Sequence, residues 1–155
     1  INQSKNEWDM PLIFAIKNKL YEKVGDEGVQ LLYEAQDMIL NLSYSSDATL
    51  IVFEVYGEET VVIQNKKFIK TRIEYGNAPK VSPDGEKIVF MIIKDDGYQI
   101  QSGSISYWDS KTGKIYPIIE DPNIVAMNPV WSNNNLIYYI NFLDGSIQSA
   151  GLGNQ

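Results

Sequence analysis

The sequence predicts an all-β fold: a β-propeller segment of three to four antiparallel four-stranded blades, as a partial propeller or a small ring. Three observations carry that expectation. Short apolar runs recur at intervals near 40 residues, the period of a propeller blade. A serine-containing turn stands at a nearly constant distance before three of the runs. Each run is apolar on consecutive positions, as a strand packed on both faces requires, and a hairpin signal with a more alternating stretch follows it.

The runs cover residues 12–16, 50–53, 88–93 and 136–140, and their aromatic markers Phe14, Phe53, Phe90 and Tyr139 lie 39, 37 and 49 residues apart. The last gap calls for an insertion of about ten residues in one unit.

In the first unit Lys17-Asn18 turns the chain into 20–24, and Gly25 to Gly28 turns it again into 29–33. The second unit opens with an expected strand at 39–44 and the turn Tyr44-Ser45-Ser46-Asp47. Its run is followed by Tyr56-Gly57, a strand at 60–64, the turn Asn65-Lys66-Lys67 and a strand at 68–73. In the third unit Val81-Ser82-Pro83-Asp84-Gly85 precedes the run. Asp95-Asp96-Gly97 then leads through a polar stretch into 104–108, and Ser110-Lys111-Thr112-Gly113 into 114–119. The fourth unit has Trp131-Ser132-Asn133-Asn134, its run, Asp144-Gly145 and a strand at 146–150.

The turn serines Ser45, Ser82 and Ser132 stand eight, eight and seven residues before their aromatic markers, so they should occupy equivalent positions. Pro83 presets φ, Asp84 can accept a bond from its own backbone, and Gly85 or an asparagine among 133–135 can take a positive φ. Units are expected at approximately 6–35, 38–75, 76–121 and 122–152, within a single domain. Leu31, Leu32, Ala35, Met38 and Ile39 also fit a helical face, whereas the repeat register puts strands there. The first unit lacks room for an innermost strand and the last stops after its third. A fragment of a larger propeller, a self-associating half-propeller and a closed four-bladed ring are all compatible with this, and the fragment is favoured. Unpaired edges lead us to expect self-association or a partner.

Composition narrows the chemistry. With 44% hydrophobic and 21% charged residues, the 155-residue chain has the balance of a folded domain. Its longest apolar run, six residues, is far short of the roughly 20 of a membrane-spanning helix. Without histidine or cysteine there is no Ser-His-Asp triad, imidazole base, thiol nucleophile, disulfide or His/Cys zinc site. A net charge of −7 opposes a phosphate backbone, so nucleic acid is not expected as a partner. A start at Ile1 suggests a processed protein or an excised piece.

Glu58-Glu59, Asp95-Asp96 and Glu120-Asp121 read as solvated loop tips and not as calcium loops, which need six to eight converging oxygens. No carboxylate pair is marked out for glycoside hydrolysis. Gly151-Leu152-Gly153 has no helix to follow it, and Asn2-Gln3-Ser4 and Asn41-Leu42-Ser43 match the glycosylation pattern by chance frequency. Among the aromatics, Trp8, Trp108 and Trp131 are candidates for a sugar-stacking surface, with Trp108 half-exposed beside its turn, and Tyr75, Tyr98 and Tyr107 for exposed contacts. The insertion is the one departure from the period, and such departures usually map to a loop on a binding face, the alternative being a longer hairpin with no partner. The candidate binding residues are therefore Asp95, Asp96, Tyr98 and Gln101, with Tyr107 and Trp108, and no catalytic residue, metal ligand or cofactor site is expected.

The segment Val81-Ser82-Pro83-Asp84-Gly85-Glu86-Lys87-Ile88-Val89-Phe90 resembles the repeat core of the TolB-like, or WD40-like PD40, propellers. Tyr107-Trp108-Asp109-Ser110-Lys111-Thr112-Gly113-Lys114 is similar to the later part of that repeat. The match is good over 76–121, partial over 38–75 and 122–152, and rests on strand pattern alone over 1–34. The repeat packs a core residue before the turn serine, which implies a buried Trp131. The resemblance further implies an exported bacterial protein, periplasmic or at the cell envelope, that docks a protein or a cell-surface polymer without catalysis. The alternative is the propeller portion of a larger hydrolase of the prolyl-oligopeptidase type, its catalytic domain elsewhere and marked by a Gly-x-Ser-x-Gly elbow that this chain lacks.

Overall fold

A computed structural model describes residues 10–152 apart from 59, 74 and 75, so Trp8, Tyr75, Glu59 and the Asn2-Gln3-Ser4 pattern lie outside the described residues. Fourteen strands form four antiparallel sheets, and no helix occurs among the described residues. The first sheet holds β1 (Leu12–Ile16), β2 (Lys19–Lys23) and β3 (Val29–Glu34). The second holds β4 (Ile39–Tyr44), β5 (Leu50–Val55), β6 (Thr60–Gln64) and β7 (Lys67–Ile73). The third holds β8 (Gly76–Val81), β9 (Lys87–Asp95), β10 (Ile100–Asp109) and β11 (Ile115–Ile119). The fourth holds β12 (Ala126–Trp131), β13 (Leu136–Asn141) and β14 (Ile147–Gly151). Within every sheet the strands pair in chain order, each hydrogen-bonded to the next.

Local chemistry explains the hairpins. Asn65 and Lys66 both have positive φ (50° and 61°) between the paired Gln64 and Lys67, the two-residue turn whose twist suits adjacent strands. The serine turns share one wiring. Ser45 donates its backbone N–H to the Leu50 carbonyl (2.9 Å) and its hydroxyl oxygen accepts the Leu50 N–H (3.0 Å). Ser82 does the same with Lys87 (2.8 and 2.9 Å). Ser132 does so with Leu136 (2.8 and 3.2 Å), one residue nearer, which accounts for its offset of seven. The third residue after each serine, Ala48, Gly85 or Asn135, takes a positive φ of 54°, 71° or 58°. The serines are therefore equivalent in environment.

Three buried clusters lie between successive sheets. Ile13 and Leu20 of the first sheet meet Ile51, Phe53 and Val55 of the second. On the opposite face of β5, Leu50 and Val52 meet Ile88, Phe90 and Trp108 of the third sheet. Val89 and Ile105 then meet Ala126, Ile137 and Tyr139 of the fourth. Alternate residues of one strand thus enter different cores, which is why the runs are apolar throughout.

The helical spacing over 31–39 does not produce a helix. Leu31 lies in β3 and Ile39 in β4, while Ala35 and Ile39 donate backbone N–H groups to Asn18 and Lys17 of the first hairpin. Ladder and core contacts outweigh helix propensities of a few tenths of a kcal/mol per residue. The insertion takes the form of a longer hairpin. Gly103 pairs with Ile93, Ser102 with Lys94 and Ile100 with Asp95, so the polar stretch extends the β9–β10 hairpin.

Candidate functional site

The up-and-down order of each sheet separates its turns. In the second, third and fourth sheets the turns after first and third strands fall at one end of the blade and those after second strands at the other. In the first sheet, where β1 is the counterpart of those second strands, the turn after β1 falls with the latter. The β9–β10 tip belongs to the second end. There Asp95 Oδ1 accepts the Gly97 N–H (2.9 Å), and Asp96 Oδ1 accepts those of Tyr98 and Gln99 (2.9 and 2.8 Å). Asp96 Oδ2 accepts from Gln101 Nε2 (2.7 Å), and the Asp96 N–H closes the loop on the Gln99 carbonyl (3.2 Å). The Gln99 and Tyr98 amides, followed by the Gln101 amide, hold the Asp96 carboxyl below its ordinary value of 3.8. On this pinned backbone Tyr98 is 96% exposed.

Four of the six sequence-predicted residues, Asp95, Asp96, Tyr98 and Gln101, therefore share one tip. The other two are elsewhere. Tyr107 pairs with Val89 and Trp108 with Ile88, toward the opposite end of the hairpin. Tyr107 is buried, its ring stacked on Tyr116 with centroids 5.2 Å apart, and burial, with Asp109 and Tyr116, pushes its hydroxyl up. Trp108 is not half-exposed but 2% exposed, within the cluster between the second and third sheets, because β10 is packed between neighbouring sheets over its later part. Neither ring is available at the surface. Trp131, expected to be buried, is half-buried at the margin of the third cluster, and its Nε1 donates to the Lys80 carbonyl (2.9 Å).

At the other end, the final residues of β4, β8 and β12 converge on a groove of about 460 Å³. Tyr44, Val81, Val130, Trp131 and the turns at Ser45 and Ser82 line it, and Lys80 is the one charged side chain among the described residues that do. Ser43 Oγ accepts the Val81 N–H (2.9 Å) across the sheet boundary. Deeper along the same strands a left-handed residue recurs four positions before each turn serine: Asn41, Ala78 and Asn128, with φ of 50°, 50° and 52°, each at a bulge. The side chain following the aromatic marker of one sheet accepts the N–H of that residue in the next. Glu54 Oε1 accepts from Ala78 (2.7 Å) and Met91 Sδ from Asn128 (3.3 Å). Glu54 also accepts from Asn41 Nδ2. Sequence reading passed over these positions; two asparagines at a fixed distance before a turn serine were the available signal. No cluster of three potential metal ligands occurs among the described residues.

No protein-family model and no curated protein matches the sequence. Solved structures do. TolB from Acinetobacter baumannii superposes with a TM-score of 0.61 at 17% identity over 92% of this chain and 42% of its own. An oligogalacturonate lyase in complex with manganese gives 0.65 at 11% identity, over 88% and 44%. A puromycin-hydrolysing peptidase from Mycobacterium tuberculosis gives 0.64 at 13% identity, over 93% and 27%. Each sheet is thus a blade of a TolB-like β-propeller fold, and the chain spans less than half the length of these three structures.

Proposed function

We propose that the chain is a non-catalytic binding module of a β-propeller protein, engaging a protein or a cell-surface polymer through the tip of the β9–β10 hairpin. One observation carries the reading: Tyr98 stands almost wholly in solvent on a loop whose backbone is tied down by two aspartates. An aromatic side chain on a pre-organised loop gives large contact area for little ordering entropy. The acidic tip and the net charge of −7 favour a partner with a basic surface and speed its approach at low salt. An envelope or exported location fits the TolB-like fold and belongs to the same proposal.

The test is to join Ile93 to Gly103 through a two-residue turn, and separately to make Tyr98→Ala, then compare capture from a native extract with the parent chain. Since Ile93 and Gly103 already pair, the fold should persist, and capture should fall at least tenfold in both variants. Unchanged capture by both discards the hairpin as the contact. The superposition on a peptidase more than three times the aligned length supports a second reading, the propeller portion of a larger hydrolase. A Gly-x-Ser-x-Gly elbow in a longer parent sequence would select it.

A further inference from the structure

The joint between the first and second blades differs from the two that follow it. Register aligns Glu22, the partner of Ile13 one position before the aromatic marker, with Val62 and Tyr107, the partners of Val52 and Val89. Val62 and Tyr107 are both buried. At the same place the first blade turns a carboxylate toward the second, its side chain 6% exposed. Taking a charge out of water is costly, and apolar side chains in its place often give the more stable packing. A break of this kind in the local pattern marks a functional or strained position.

A cavity of about 100 Å³ lies against that carboxylate. Leu32 and Tyr33 close it from the first blade, and Ala48, Ile51 and Ile63 from the second, so both walls lie inside a joint between neighbouring blades. Lys66 donates to Glu22 Oε2 at 2.9 Å, and no described residue donates a hydrogen bond to Oε1. Lys66 is two-thirds exposed, and with Glu22, Glu27 and Gln30 it lines a second hollow of about 40 Å³. The ion pair therefore borders both spaces, with apolar walls on one side and a second carboxylate on the other.

We propose that the cavity binds a small primary amine, its ammonium group on the Glu22 carboxylate and its apolar body among Leu32, Ala48, Ile51 and Ile63. Since an apolar cavity of about 150 Å³ takes a benzene-sized guest, this one suits a body of about four or five carbons. An alkylamine, like a lysine side chain, is cationic at neutral pH and makes the stronger, charge-assisted bond to a carboxylate that an alcohol cannot. Lys66 stands on the exposed side, where it can leave Oε2 for water at little cost. Glu22 and Glu27 against Lys66 alone give the entrance a negative balance, which favours a cation.

The experiment is an amide NMR titration of the parent chain with isoamylamine at neutral pH, with isoamyl alcohol as the uncharged counterpart. The amine should move the amide signals of Leu32, Ala48 and Ile63, and the alcohol should bind at least tenfold more weakly. Glu22→Gln keeps the shape of the side chain and should lower affinity for the amine at least tenfold. Lys66→Asn leaves the carboxylate without its cation. The amine should therefore bind that variant more tightly than the parent and raise its melting temperature by more, a rescue that a purely structural ion pair would not show. Circular dichroism verifies folding, and should Glu22→Gln misfold, the alcohol comparison and the rescue of Lys66→Asn still decide. Unmoved amides at the cavity, equal affinity for amine and alcohol, undiminished affinity in folded Glu22→Gln, or no added stabilisation of Lys66→Asn would each overturn the proposal.

Discussion

Ser82 shows how one hydroxyl organises a turn. It accepts the Lys87 N–H and donates to Asp84 Oδ1, which also accepts the Glu86 N–H (3.0 Å). Partial burial pushes the Asp84 carboxyl upward, but the Ser82 hydroxyl, the Glu86 amide, Lys87 and Lys111 together hold it below 3.8. Asp47 is lowered by the Ser45 hydroxyl and by the Thr49 amide and hydroxyl. A carboxylate whose pKa is lower in the folded state stabilises above its unfolded pKa, about 3.9, and that contribution is lost as pH falls through the folded value. Ser82→Ala should therefore cost about 1–2 kcal/mol at neutral pH, and the deficit should shrink below pH 4 in urea melts. Trp108 offers a different residue-scale test. Its buried Nε1 has no hydrogen-bond partner among the described residues. Trp108→Phe relieves that penalty while shrinking the ring, so it should cost under about 2 kcal/mol where Trp108→Ala costs about 3–5 by denaturant titration.

Among elements, the innermost strands carry the strain. Ala78 holds a left-handed φ of 50° at the β8 bulge, where the equivalent positions of β4 and β12 have asparagine. The left-handed region costs an L-residue about 1–2 kcal/mol, and asparagine least of the non-glycine types. Ala78→Asn should raise the melting temperature, with a gain of up to about 1 kcal/mol, and a loss would show that the methyl group packs more than it strains. The long β9–β10 hairpin is anchored at Gly103, where an added Cβ would come within 2.8 Å of the Ala126 carbonyl and 3.0 Å of Val125. Its outer part, beyond Ile93, lies past that contact. This is why shortening it should spare the fold while removing Tyr98.

For the whole molecule, each blade touches its neighbours through one cluster and a few polar links, so stability is close to a sum of nearest-neighbour joints. The first joint includes a buried charge. Glu22, its side chain 6% exposed, pairs with Lys66 at 2.9 Å beside a gap of about 100 Å³ between the first two blades. Lys66→Asn keeps a residue suited to the local φ of 61° and strands the carboxylate. Because Lys66 is two-thirds exposed, the expected cost is about 1–3 kcal/mol, below the 3–5 of a fully buried pair. Native-state hydrogen exchange should show the first blade opening earlier than the other three, and uniform loss of protection across all four would contradict independent joints.

Strand positions, hairpins and the equivalence of Ser45, Ser82 and Ser132 were legible in the sequence because they depend on local chemistry. Consecutive apolar residues report burial on both faces, and Ser, Pro, Asp, Gly and Asn report the turn geometries they tolerate. The grouping of Asp95, Asp96, Tyr98 and Gln101 was legible too, since all four lie within seven positions of one hairpin. Position relative to neighbouring blades was not. Trp108 and Tyr107 read alike as aromatics next to a turn, and only the packing of β10 between other strands made both inaccessible. Residues 100–103 became strand because β9 offered unpaired backbone groups opposite them, a partner with no signature in their own side chains. The same holds for the groove around Lys80, which exists where three strands 37 to 50 residues apart end side by side. Such features belong to contacts distant along the chain, and those are decided when the blades pack.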